Sequence, residues 1–444
     1  MGNNELAKNF SCMDIIRFTL PNMVMLVFMS LYTIVDGMFI SRYAGEIALS
    51  STNMYYPVMS LQYGIGIMLG TGGSAIVAIK LGSGRVEEAK ENFTLITLTA
   101  IIIGALFTVI CLPFLEQILN MLGTSATQMP HGMAYASAVL WFSPSMFLQM
   151  IFQVFFVTAG KPKLGLMLTV LGGILNVILD YIFMGPLSMG IKGAAIATGI
   201  GYSVTAVAGL IYFAVNIKGS LYFVKTGLDK LMLLKTCVNG SSEMISNCAI
   251  AVTTFLFNII FMRFWNEEGV AAITILCYFQ YVFSAIYMGF SMGVSPVISY
   301  KYGADDKKQL KHIVRFSFVF VTLCSISVYV ISLITISPSL AIFTDRSGEI
   351  FRIAIEGFPI YALQFIFMGL SIFSSALFTS LGNGLISGII SMSRTLVFLV
   401  ACMLILPELF GELGVWFSVP VAEILGVGIS AYFVLSNRKK YKYF

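Results

Sequence analysis

Blocks of about 20 apolar residues recur along this chain from one end to the other, the length a helix needs to cross the hydrocarbon core of a bilayer. Twelve such blocks are read, at 15–41, 53–80, 92–121, 131–160, 163–186, 190–217, 236–262, 268–300, 310–336, 351–380, 385–407 and 414–436. Backbone groups in lipid must find partners within the protein, so these stretches are expected to be helices. Outer-membrane barrel strands would be about half as long and alternate in polarity, and these do neither. Composition agrees. Of 444 residues, 58% are hydrophobic and 11% charged, against about 25% charged in an ordinary soluble domain. The start, Met1 to Asn9, is polar, and no small-residue cleavage site follows the first block. That block is therefore expected to be a retained span, not a cleaved signal peptide.

Basic residues sort by membrane side. Twenty, from Lys8 and Arg17 through Lys80, Lys161, Lys225 and Lys307 to Lys442, fall at the termini or in the even-numbered connections. Only Arg42, Lys192, Arg263, Arg346 and Arg352 fall in odd-numbered connections. This positive-inside bias predicts a multi-pass protein of the cytoplasmic (inner) membrane with both termini cytoplasmic, and accounts for the net charge of +5 without nucleic acid. The seven cysteines are scattered, without a CxxC pair, and His131 and His312 are the only histidines. Neither a disulfide framework, a zinc site nor a histidine relay is expected. The absence of a GxxxxGK[ST] motif argues against ATP-driven work, and no cofactor is expected.

Self-similarity appears at an offset of about 221 residues. Gly72-Gly73-Ser74 and Lys80-Leu81-Gly82 recur as Gly293-Val294-Ser295 and Lys301-Tyr302-Gly303. Glu46 recurs as Glu267, and Gly190 and Gly193 as Gly411 and Gly414. A six-span unit has both ends on one side, so the halves should be parallel and related by an axis along the membrane normal. The expected fold is an all-α polytopic membrane protein, with twelve transmembrane helices in two parallel six-helix bundles around a central cavity. Residues 1–220 form the N-terminal lobe, 221–235 a basic cytoplasmic linker and 236–444 the C-terminal lobe. Facing halves of this kind fit an alternating-access carrier.

Charges inside spans are costly and usually functional. In the first half these are Asp36 and Asp180, which lie five and six residues from the outer ends of their spans, roughly 8 Å deep. Thr198, on the returning sixth span, reaches about the same depth. Asn176 stands one turn from Asp180, and Tyr32 one turn from Asp36. This oxygen-rich set, with no basic partner in that half's spans, can ligate a hard cation such as Na+ or hold a proton. It can also serve as a pair of buried structural acceptors. The offset takes Asp36 to Phe257 and Asp180 to Ala401, so the second half does not repeat the acids. Glu243 and Asn247 in span seven, with Gln280 in span eight, are candidates for the substrate cavity; Glu243 could equally serve a helix start or an interlobe contact. Arg394 and Glu423 are expected to form a structural ion pair, and Glu116 and Glu356 to be wet. A wall of methionine and aromatic side chains would suit bulky organic cations. Pro21 and Pro144 can kink their helices.

The run Leu31-Tyr32-Thr33-Ile34-Val35-Asp36-Gly37-Met38-Phe39-Ile40, with Pro21 before it, resembles the first helix of the multidrug and toxic compound extrusion family. Gly82 to Lys90 and Tyr300-Lys301-Tyr302-Gly303-Ala304 resemble that family's loops after helices two and eight. The resemblance covers essentially the whole chain. It implies a proton- or sodium-coupled antiporter, not an enzyme, that exports organic, often cationic, or other amphipathic compounds and works as a monomer in the bilayer. The DNA-damage-inducible type is the nearer likeness: its N-lobe site matches Asp36, Asp180, Asn176 and Thr198, and its cavity tyrosines match Tyr32 and Tyr135. Another bacterial type carries acids on helices seven and ten. Here the region around Gly369 has none, and Glu243 lies nearer its helix start. A flippase for lipid-linked sugars from the same superfamily is the alternative, although such chains tend to have more spans and a cationic cavity. A prenyl-transferase-like membrane enzyme would need DDxxD pairs, and a major-facilitator carrier a Gly-x-x-x-Asp-Arg loop; neither motif occurs.

Overall fold

The computed structural model describes residues 5–444, with the side chain of Glu46 excepted. The first four residues of the polar start, and the Glu46 side chain of one repeat match, thus lie outside what the structure describes. A 3₁₀ turn, Glu5–Ala7, precedes the helices α1 (Cys12–Ala44), α2 (Glu46–Gly82), α3 (Val86–Cys111), α4 (Leu115–Met121), α5 (Met129–Trp141), α6 (Ser143–Thr158), α7 (Pro162–Met184) and α8 (Gly190–Val215). The second half holds α9 (Lys230–Gly303), α10 (Lys307–Phe343), α11 (Glu349–Tyr361), α12 (Gln364–Ser380), α13 (Gly384–Met392), α14 (Leu399–Phe410) and α15 (Glu412–Tyr441). Among the described residues there is no strand.

Nine stretches are long and apolar enough to cross a membrane, and two bent pairs, α5 with α6 and α11 with α12, add two more. The 74-residue α9 is itself two limbs, 230–264 and 267–303, broken at Trp265 and at Asn266, whose φ is 52°. Counted so, the twelve expected spans are present.

Their interiors depart from the sequence reading at three points. The third block was expected to run unbroken over 92–121, but its helix stops at Cys111 and the short α4 follows a turn through Pro113. A proline has no N–H and its ring crowds the carbonyl four residues back, so the helix cannot continue there without a break. Between α11 and α12 the tenth span bends by 54°, two residues beyond Pro359 at Tyr361. The eleventh carries a π-helical turn, Ser393–Phe398, that separates α13 from α14. Pro144 does mark a bend, of 56° between α5 and α6, whereas α1 runs unbroken through Pro21.

The lobes meet along the end of the bundle that carries both termini. Here the repeat becomes a reciprocal contact. A Cβ on Gly82 would stand 2.0 Å from the Tyr300 carbonyl oxygen, and one on Gly303 would stand 2.1 Å from that of Ile79. Ile79 and Tyr300 are themselves separated by the repeat offset. Gly72 and Gly240 likewise press on the backbones at Thr236 and Met68. Asn22 Nδ2 donates to the Gly289 carbonyl at 2.8 Å, Asn239 Nδ2 to that of Gly72 at 3.3 Å, and Ser60 Oγ to that of Asn247 at 3.1 Å. The N-terminal segment completes the seam: Leu6, Phe10, Ile15 and Phe18 are buried among Val297, Ile298, Leu310 and Ile313 of the other lobe. Buried Lys301 donates to the Ala7 carbonyl at 3.1 Å. Among the described residues, no interlobe hydrogen bond involves α1 beyond Asn22 or α2 before Ser60. Toward the opposite end, Met38, Tyr56, Phe255, Tyr278 and Tyr281 are exposed. The lobes therefore close at the terminus-bearing end and part toward the other.

Candidate carboxyl site in the N-terminal lobe

The pairing of α1 with α7 and of α7 with α8 brings the first-half polar residues together. Small residues allow this approach: Gly172 of α7 lies against the Gly201 carbonyl of α8, and Gly173 against Phe28 and Tyr32 of α1. A side chain at either glycine would push those helices apart. The carboxyls of Asp36 and Asp180 come within hydrogen-bonding reach of each other. Their helices end at different levels. Asp36 is eight residues before the end of α1 and Asp180 four before that of α7, about 12 Å and 6 Å along the axis. Matched depth thus comes from unequal helix ends, not from the equal distances expected.

Asp180 is fully buried, and among the described residues neither of its oxygens accepts a hydrogen bond from any donor. The buried Oδ1 of Asp36 has no donor either. Asn176, 1% exposed, donates to Thr198 Oγ1 at 3.3 Å and leaves its own Oδ1 unpartnered. Beside them lies a small cavity of about 10 Å³, lined by Tyr32, Gln149, Thr169, Asn176, Thr198 and Tyr202, with Thr205 and several glycines. Such a space holds about one water-sized body. Gln149 Oε1 and Thr205 Oγ1 in its wall are also unpartnered. Buried oxygens without donors carry a desolvation cost unless a proton, a cation or water satisfies them. The set contains no His or Cys, and its buried unpartnered atoms are all oxygens; that chemistry suits a proton or a hard monovalent ion.

Aromatic side chains surround the carboxyls. Tyr32 packs on Phe28 with ring centroids 6.0 Å apart, and buried Tyr135 meets Tyr55 edge-on at 6.5 Å. Tyr135 is close enough to both carboxyls to interact with them electrostatically. Tyr63 and Tyr202 share a 2.6 Å hydroxyl contact. Across the opening, Tyr281 of the other lobe comes within electrostatic range of Tyr32 and Tyr63. Gln149, Tyr63, Tyr202, Thr205 and Tyr281 did not stand out in the sequence. One signal was present: Thr198, Tyr202 and Thr205 follow at helical spacing on a single face of α8.

The second-lobe candidates are dispersed. Glu243 is half-buried in the first limb of α9 and within electrostatic range of Arg394. The Asn247 side chain donates to the Glu243 carbonyl at 2.9 Å, a bond within its own helix, while its backbone carbonyl takes part in the interlobe seam. Gln280 accepts a hydrogen bond from Tyr361 inside its own lobe. Arg394 and Glu423 pair at 2.9 Å, as read from the sequence, with both side chains nearly buried. Glu356 and Glu116 lie at the surface, Glu356 beside Arg352 at 3.6 Å.

The MatE family model matches residues 21–182 and 244–404, one stretch in each lobe. The multidrug export protein MepA of Staphylococcus haemolyticus (strain JCSC1435) is 22% identical over 428 residues, covering 96% of this chain and 93% of the relative. MepA of Staphylococcus aureus (strain MRSA252) is 23% identical over 417 residues, with 92% and 90% covered. In fold, the chain matches an outward-facing multidrug resistance MATE family transporter of the MOP superfamily with a TM-score of 0.93 at 20% identity, covering 100% of this chain and 99% of that one. It matches the MATE multidrug transporter DinF-BH, solved in complex with a ligand, with a TM-score of 0.88 at 24% identity, covering 97% and 96%. The chain shares the two-lobe, twelve-span fold of these transporters, and the family that both its lobes match is one of transporters, not enzymes. Matched in fold along its length and in sequence in both lobes, the chain belongs to the MatE family of multidrug efflux transporters.

Proposed function

We propose that this chain is a proton- or sodium-coupled antiporter that expels organic cations across the cytoplasmic membrane by alternating access, with both termini in the cytoplasm. The observation that carries the coupling is the Asp36–Asp180 pair: two carboxyls in reach of each other, with no basic partner and no donor to Asp180 among the described residues. Two such groups are poorly tolerated when both are ionised, so a proton or a cation between them is favoured. Asn176 and Thr198 bound this site, and Tyr32 and Tyr135 form its aromatic wall. Glu243, Asn247 and Gln280 are proposed to line the substrate path on the facing lobe.

With the termini in the cytoplasm, the open end of the cavity faces outside. An ion entering from there reduces the negative charge at the pair and weakens its hold on a cationic substrate, which leaves outward. The loaded pair favours return to the inward-facing state. Coupling of this kind requires that ion and substrate prefer different states, since a ligand binding both equally shifts nothing. The names of the MepA relatives, as multidrug export proteins, and the ligand complex of a multidrug transporter of the same fold support an organic substrate class. The chain is proposed to work as a monomer, because each lobe supplies one wall of the same cavity.

The test is transport in proteoliposomes under proton and sodium gradients imposed one at a time, with a fluorescent organic cation inside. Efflux driven by one gradient and abolished by its collapse is expected. Substrate movement that ignores both gradients would overturn the antiporter reading.

A further inference from the structure

Where α10 begins and α15 ends, at the terminus-bearing end, Lys307, Lys311, Arg438, Lys439 and Lys442 line one open pocket of about 400 Å³ together with Phe444. Sorting of basic residues to one membrane side explains their sign but not their convergence on a single concavity. Lys307 has a partner, Asp305, at 3.1 Å. Among the described residues no carboxylate makes an ion pair with Lys311, Arg438, Lys439 or Lys442. Crowding unpaired like charges costs free energy that a bound anion offsets.

The last residues are folded to form this pocket. Lys442 adopts a left-handed conformation, φ 57°, which turns the chain back on α15. Tyr443 is then fully buried and donates from its hydroxyl to the Val434 carbonyl at 2.8 Å. Phe444 stacks on Phe318 of α10 with ring centroids 6.0 Å apart and stays partly exposed. Phe318 lies eleven residues into α10 from Lys307, about 16 Å along the axis toward the membrane interior. One wall of the pocket is thus cationic, and its membrane-facing edge is an exposed aromatic ring.

We infer that this pocket is a binding site for the phosphates of an anionic phospholipid, with a two-phosphate headgroup as the best match to five cationic side chains. Basic pockets between transmembrane helices at headgroup level hold such lipids through the same chemistry. A soluble phosphate compound shares the charge but gains nothing from Phe444, whereas the first methylenes of an acyl chain can lie across that ring. The inference is independent of the carboxyl site.

Native mass spectrometry and melting of the full chain in micelles test it, with diphosphatidylglycerol, phosphatidylglycerol, phosphatidylethanolamine or inorganic phosphate added. Retention and stabilisation should be greatest with diphosphatidylglycerol and absent with phosphatidylethanolamine. The combined change Lys311→Gln, Arg438→Gln and Lys442→Gln should weaken retention by about tenfold or more. Neutralising Lys225, Lys230 and Lys235 instead should leave it unchanged. Equal loss in both triple variants, or no loss in the first, would overturn the inference. Stabilisation by inorganic phosphate equal to that by lipid would make this a site for soluble phosphate and overturn the lipid. Should the first triple variant melt early without lipid, Lys311→Gln alone and the ligand series on the unmodified chain decide by the same criteria.

Discussion

Asp180 has no exposed surface and, among the described residues, no donor to either oxygen, and the group within its reach is another acid. Under the proposed mechanism these two carboxyls are one titrating unit, and their loss should not be additive. Asp36→Asn and Asp180→Asn should each lower gradient-driven efflux from a folded, inserted protein by about tenfold or more, Asp36→Asn the more severely, and the double change should cost little more than the worse single one. Losses that multiply, measured as initial efflux rates, would mean separate roles. These acids were legible because a charge within an apolar block has few bland explanations. Gln149, Tyr63 and Thr205 were not, because Gln, Tyr and Thr are ordinary in spans and their meaning depends on neighbours from other helices. Arg394 and Glu423 fall between these cases. Opposite charge at similar depth implied the pair, but the π-helical turn that holds Arg394 had no sequence mark.

At the scale of elements, the long helices were legible because hydrocarbon thickness fixes their length. Their breaks were legible only in part. Pro144 sits at a bend and Pro21 does not, so a proline permits a kink while packing decides it. The glycines shared by the two repeats signalled a duplication, and only the fold shows that two of them, Gly82 and Gly303, each press on the backbone of the other lobe. Gly82→Ala and Gly303→Ala should each weaken the closed seam by about 1–3 kcal/mol, since a Cβ there meets a carbonyl that cannot step aside. The readout is a cysteine placed at buried Ser60 in a cysteine-free background. Its labelling from the terminus-bearing side should rise severalfold with either change. Gly428→Ala, where a Cβ meets nothing within 4 Å, should leave it unchanged; an equal rise there would dissociate labelling from the seam.

The whole molecule was legible in outline from the block count and the repeat. Which end of the bundle was closed was not, because that depends on contacts between lobes far apart in sequence. Orientation can be tested directly. Cysteines near Asn120 and Asp345 should react with an impermeant reagent added outside, and cysteines near Gly84 and Asp306 should not; the reverse pattern would invert the proposed topology. The closed end has a further consequence. It is joined by glycine-to-backbone contact, buried apolar side chains and a few hydrogen bonds, and among the described residues no interlobe ion pair contributes. Added electrolyte screens charges and leaves such contacts largely alone. Under the proposed alternating access, the equilibrium between the two facing states should therefore be nearly indifferent to ionic strength, so that a dependence of efflux on sodium chloride concentration would report competition at the proposed carboxyl site and not a loosening of the closed end.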